Sequence, residues 1–103
     1  MKKQITPCLW YDAKAKEAAN LNCSVFADAR IMTQSPFVTE IQVSGQNIIL
    51  LDGGPKYHPN PSISFYYICE QAQEFDRIWN AFKEGGNIMM PDGKYPWGER
   101  YGW

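Results

Sequence analysis

The stretch "DGGPKYHPNP", residues 52–61, constrains the fold more than any other part of the chain. Its three prolines and two glycines exclude both helix and interior strand, because proline removes a ladder donor and glycine leaves a strand without a side chain to pack. It reads as a linker. The expected organisation is a first unit over residues 1–52, a connection over 53–61 and a second unit over 62–103 within one domain, and each piece carries strand and helix signals of its own.

In the first piece, residues Ile5 to Tyr11 mix β-favouring and aromatic types, and Asp12 is placed to cap a helix. The run "KAKEAANLNCSVF", Lys14 to Phe26, sets Ala15, Ala18, Asn22, Val25 and Phe26 at helical spacing, an Ala-rich face suited to close packing on a sheet. Ile31 to Gln34 is predicted as a strand, and Ser35-Pro36 as a turn. Phe37, Thr39, Ile41 and Val43 then alternate with Val38, Glu40, Gln42 and Ser44, the pattern of a half-buried strand. Gly45-Gln46 is predicted to close a hairpin into Asn47 to Leu51. The order is β-α-β-β-β.

The second piece begins with "SISFYYIC", Ser62 to Cys69, predicted as a strand. Gln71 to Glu84 follows as a helix, with Phe75, Ile78, Trp79 and Phe82 on one face, Glu74, Asp76, Arg77 and Lys83 outward, and Gly85-Gly86 at its end. "NIMMP" is predicted as a further strand, and after the turn "DGK" the aromatic run "YPWGERYGW" is expected to enter a buried strand. Setting Phe26 on Phe82 also sets Trp10 on Tyr66 and Val25 on Ala81, so the halves read as a tandem repeat argued from element order.

With 103 residues, 45% hydrophobic and 15% aromatic, the chain can bury one core. The net charge of −1, with lysines and arginines scattered, argues against a nucleic-acid partner. No apolar run approaches the ~20 residues of a membrane span, and the two lysines of "MKKQITPCLW" precede no signal-peptide segment. A cytoplasmic protein is expected. Cys8, Cys23 and Cys69 form no CxxC pair and are odd in number, so free thiols are expected.

Taken in order, "ITPCLWYD", "EAAN", "SVF", "DGGP", "NPSISF" and "MPDGKYPWGERYGW" resemble the PhnB-like group of the glyoxalase, bleomycin-resistance and dioxygenase superfamily, also called the vicinal oxygen chelate superfamily. The group is often labelled a 3-demethylubiquinone-9 3-methyltransferase domain. The resemblance implies an α+β fold of tandem βαβββ units, a curled mixed half-barrel sheet with a ligand pocket between strands. In metal-dependent members, ligands come from the first and last strands of each unit. The corresponding positions here, Thr6, Cys8, Trp10, Ile48, Leu50, Ser62, Ser64 and Tyr66, offer no His or Glu, so no metal cofactor is expected. The family pattern continues past "RYGW". The expectation is an incomplete second unit, in a truncated chain or in a homodimer whose partner covers the open edge.

The candidate ligand-binding residues are Cys8, Trp10, Asp52, Ser64, Tyr66, Trp97 and Arg100. Cys8 offers a thiol or a small buried side chain. Trp10, Tyr66 and Trp97 could line a cleft for a planar ligand or pack in the core. Asp52 could orient a ligand hydroxyl or accept backbone N–H bonds. Ser64 shares the strand of Tyr66. Arg100 could meet an anion or serve as a surface charge. His58 suits general-base work by type but lies in the linker. Methyl transfer would need a doubly wound parallel sheet with a glycine-rich first turn, and neither is legible. The expected function is binding of a small organic ligand without metal. A metal-dependent lyase, isomerase or dioxygenase completed by further residues, and an interaction subunit using the open edge, are the alternatives.

Overall fold

Between Val38 and Val43 the side chains of Thr39 and Ile41 are fully buried, while those of Val38, Glu40 and Gln42 are only half-buried. That alternation places one face of a sheet under a helix, as period-two burial requires. The computed structural model of the protein describes residues 4–103, the side chain of Glu99 excepted. In chain order the elements are β1 (Cys8–Tyr11), α1 (Ala15–Val25), β2 (Ala29–Gln34), β3 (Val38–Val43), β4 (Gln46–Asp52), α2 (Ala72–Lys83), β5 (Gly93–Tyr95) and β6 (Gly98–Tyr101). They fall into two units, the first ending at Tyr66 and the second running Tyr67–Trp103.

The first unit holds a mixed sheet in the order β1-β4-β3-β2, with β1 parallel to β4 and the other pairs antiparallel. A bulge between Ile31 and Thr33 bends and curls the β2 edge. Ala15 and Ala19 of α1 cluster with Ile41 and Leu50 in the core, joined at its margin by Leu9, Tyr11, Ile31, Val43 and Ile48. The small alanines let the helix backbone sit close to the strands, as its Ala-rich face predicts. The α+β class is as expected: a βαβββ unit with a mixed, curled four-stranded sheet, followed in the chain by a helix and a β-hairpin.

Several local expectations are corrected. The first strand begins at Cys8 and not at Ile5, which is 95% exposed. Pro7 can only accept, and its carbonyl takes the Ile49 N–H at 2.9 Å. The β3–β4 turn is Ser44-Gly45, one residue before the predicted pair, with φ of 50° and 84° at the two positions and Val43 paired to Gln46. Two successive positive φ values mark the turn type whose twist matches a hairpin.

In the second unit, Phe75, Ile78, Trp79 and Phe82 form the half-buried stripe of α2, and Gly85, with φ of 76°, lets the chain leave the helix. The ring of Trp79 lies where a side chain at Gly102 would stand, so that glycine is required by close approach. β5 and β6 pair antiparallel, making "YPWGERYGW" a hairpin with its turn at Pro96-Trp97. The predicted strands Ser62–Cys69 and "NIMMP" are not formed. High β-propensity does not make a strand without a ladder partner, and no strand among the described residues pairs with either run. Met89 and Met90 instead donate their N–H groups to the Trp103 carbonyl at 2.6 and 2.9 Å, and Trp103 returns one bond to Met90. Among the described residues no helix is long and apolar enough to cross a membrane.

Candidate functional site

Pairing of β1 with β4 sets Cys8 opposite Ile49, Leu9 opposite Leu50, Trp10 opposite Leu51 and Tyr11 opposite Asp52. Leu9 and Tyr11 turn towards the core under α1, so Cys8 and Trp10 lie on the other face of the sheet. Burial raises the pKa of the Tyr11 phenol above its ordinary value.

Beyond Asp52 the chain folds back over Trp10. Gly53 and Gly54 both donate N–H bonds to the Tyr11 carbonyl, at 3.0 and 3.3 Å, and the Trp10 indole Nε1–H donates to the Gly54 carbonyl at 2.8 Å. Gly54 has φ of 100°, open to glycine and costly for other residues. At Gly53 a Cβ would be driven into the Trp10 ring. The glycine pair is thus the seat of an indole. Tyr57 then meets Trp10 edge to face, with centroids 5.2 Å apart and planes at 86°, and the Lys56 ammonium lies 5.3 Å from the Tyr57 ring centroid.

Trp10 and Tyr57 stand in the wall of a cleft of about 390 Å³, whose lining also includes Cys8, His58, Ile63 and Phe65. The volume falls in the ~300–1,000 Å³ range of small-molecule sites. Tyr57 is 55% exposed and Phe65 53%, so apolar surface on the wall faces water. The Asn60 side-chain oxygen accepts the Ser62 N–H at 2.9 Å, an Asx-type turn that shapes the same segment.

Asp52 lies elsewhere. Its Oδ1 accepts the Ala15 N–H at 2.8 Å and so caps α1. The predicted cap, Asp12, does not serve: Ala13, with φ of 59°, redirects the chain, and the helix boundary residue Lys14 makes no side-chain cap. The β1–β4 register supplies the carboxylate from a distant part of the sequence. Asp52 also lines a second cleft of about 520 Å³ with Asp12, Lys16, Phe37 and the two glycines.

Of the seven sequence candidates, Cys8 and Trp10 line this cleft together. Ser64 and Tyr66, the latter 72% exposed, are not among its lining residues, because the strand that was to aim them is not formed. Trp97 and Arg100 belong to the second unit. Trp97 stacks on Tyr95 at 4.9 Å between centroids, with Tyr101 edge-on to both rings. Arg100 donates from Nη2 to Asp76 at 2.7 Å and to Asp92 at 2.8 Å, and from Nε to Asp92 at 2.9 Å, with its guanidinium over the Phe75 ring. Its charge is spent on holding β6 to α2 and to the turn before β5. Tyr57 and Phe65 were missed because they sit in segments read as a linker and as a strand. The signal that could have found Tyr57 is an aromatic residue inside a proline-rich run.

The Arg100 hydrogen bond, and secondarily its charge, holds the Asp92 carboxyl below the ordinary carboxylate range, and the two aspartates raise Arg100 in turn. A carboxylate lowered by folding stabilises fully above its unfolded pKa, and that contribution is lost as pH falls through the folded value. The melting temperature of the wild type is therefore expected to fall more than that of Asp92→Asn between about pH 7 and about pH 3. Equal acid sensitivity of the two proteins would show that this cluster contributes nothing. Burial raises the thiols of Cys23 and Cys69, with Glu74 adding to the effect at Cys69. Among the described residues, no three His, Cys, Asp or Glu side chains converge to hold a metal ion.

The comparisons with known proteins agree with this architecture. The family model for 3-demethylubiquinone-9 3-methyltransferase matches residues 3–103. The PhnB protein from Bacillus cereus superposes with a TM-score of 0.91 at 27% identity, covering 98% of this chain and 89% of that one. Protein PA1353 from Pseudomonas aeruginosa, 21% identical, shares the fold with a TM-score of 0.74 over 98% of this chain and 87% of its own. No curated protein matches the chain. A family match over nearly every residue, on a fold shared with a PhnB protein, places this chain in the PhnB-like 3-demethylubiquinone-9 3-methyltransferase family.

Proposed function

We propose that the protein binds a small organic ligand, without metal, in the cleft walled by Trp10, Tyr57 and Phe65. The observation that carries this reading is the seating of Trp10: a hydrogen bond, two glycines and an edge-on tyrosine hold its indole in place beside exposed aromatic surface. Preorganised apolar walls with few polar groups are what ligand clefts need.

The reading without metal is supported by the cleft's lining, which offers His58 and Cys8 but no carboxylate, whereas a transition-metal site needs several convergent His or carboxylate ligands. The family's methyltransferase label finds no support in the sheet. S-adenosylmethionine folds of the usual kind use a doubly wound parallel sheet, whereas here one pair of strands is parallel and two are antiparallel. We read residues 1–52 and 62–103 as diverged copies of one unit, as in the glyoxalase and bleomycin-resistance superfamily. A homodimer is part of the same reading, supported by the exposed apolar side chains of Ile68, Ile88 and Met89 in the second unit. A cytoplasmic setting is supported by three free thiols.

The test is equilibrium dialysis of the protein against a mixed extract of cellular small molecules, with Tyr57→Ala in parallel. Tyr57 is more than half exposed, so this variant is expected to fold. The reading expects at least one compound retained by the wild type and released by the variant. Retention of nothing, or of compounds indifferent to Tyr57, would refute it.

A further inference from the structure

We infer that the ligand is an uncharged, planar ring compound carrying one hydroxyl or carbonyl group, and that Trp10 and Tyr57 set this preference. The inference rests on the small-molecule reading above and narrows it to a ligand class.

Charge comes first. The cleft is lined by Pro7, Cys8, Leu9, Trp10, Tyr57, His58, Pro59, Asn60, Ser62, Ile63 and Phe65, and none of these is Lys, Arg, Asp or Glu. An anion or cation drawn against such walls would give up hydration and meet no Lys, Arg, Asp or Glu of the lining, and the Lys56 ammonium beside the cleft is set against the Tyr57 ring, 5.3 Å from its centroid. The other cleft differs, for Asp12, Lys16 and Asp52 are among its lining residues.

Shape follows from the two rings. Trp10 and Tyr57 stand at 86° to each other with centroids 5.2 Å apart, so they form a right-angled aromatic corner. A flat ring can stack on one plane and present its edge to the other, the two arrangements aromatic pairs prefer. A saturated, puckered ring of the same size can do neither. The Trp10 wall of the corner is fixed, because its Nε1–H is bonded to the Gly54 carbonyl and its ring rests where a Gly53 side chain would stand.

Polar capacity is small. The Asn60 side-chain oxygen is already taken by the Ser62 N–H. The Asn60 amide N–H groups, the Ser62 and Tyr57 hydroxyls, the His58 imidazole and the weakly polar Cys8 thiol remain, enough to orient an oxygen function on an otherwise apolar ring.

The experiment is calorimetric titration with three probes of like size: 2-naphthol, 2-naphthoate and the saturated decahydro-2-naphthol. The expected result is saturable binding of 2-naphthol, at least tenfold weaker binding of the other two, and at least tenfold loss of 2-naphthol affinity in Tyr57→Leu. Comparable affinity for 2-naphthoate overturns the charge argument, and comparable affinity for decahydro-2-naphthol overturns the aromatic one. If no probe binds while dialysis retains a Tyr57-dependent compound, the ligand class is wrong and the small-molecule reading stands. If dialysis retains nothing, both fall.

Discussion

Leu50→Ala is expected to lower the unfolding free energy by about 2–5 kcal/mol. Leu50 is 1% exposed and lies at a junction: its residue pairs with Leu9 on one side and Thr39 on the other, while its side chain clusters with Ala15, Ala19 and Ile41. Truncation removes the transfer energy of the lost atoms and leaves a cavity that strands pinned on both sides cannot close. Among the described residues the fully buried apolar set is only Ala15, Ala19, Val25, Ile41 and Leu50, so no second cluster can compensate. For a chain of this length such a loss lowers Tm by at least roughly 8 °C. Thermal and urea unfolding followed by circular dichroism measure it, and a loss smaller than about 1 kcal/mol would show that the helix–sheet core is not the main source of stability.

Gly53→Ala is the second large effect. The added methyl group enters the space of the Trp10 ring, and the ring cannot swing aside without breaking its bond to the Gly54 carbonyl. Overpacking of this kind costs about 1–3 kcal/mol, and the lost hydrogen bond adds to it. Because the same ring walls the cleft, the variant is expected to lose 2-naphthol binding even at temperatures where it remains folded. A Gly45→Ala variant is the control: it replaces a glycine of positive φ, yet nothing stands near its Cβ and Gly45 is not among the residues that line the cleft. It is expected to lose some stability and keep its ligand. Unchanged binding by Gly53→Ala would mean that the seating of Trp10 is irrelevant to the site.

The contrast between these glycines shows where the sequence is legible. Alternation from Thr39 to Val43 and the Ala-rich run of α1 report burial directly, because period-two and helical spacing are consequences of local geometry. The family signature "DGGP" is legible as the start of a linker, and its function as the seat of an indole is not. The partner, Trp10, is 44 residues away and is brought there by the parallel β1–β4 pairing. The same pairing hides the role of Asp52, which caps a helix starting at Ala15. Local propensity misleads at "SISFYYIC", where strand-forming residues meet no partner strand among the described residues. Arg100 misleads for another reason: an arginine's availability depends on its neighbours, and Asp76 and Asp92 approach from separate parts of the chain.

The most direct test of the central claim is a proton–nitrogen correlation spectrum of the indole N–H groups during titration with 2-naphthol. Trp10 Nε1–H is identified by its loss in Trp10→Phe. The account predicts that this resonance shifts saturably, while the indole N–H resonances of Trp79, Trp97 and Trp103 stay in place. A shift confined to the other tryptophans, with Trp10 unmoved at saturation, would contradict it.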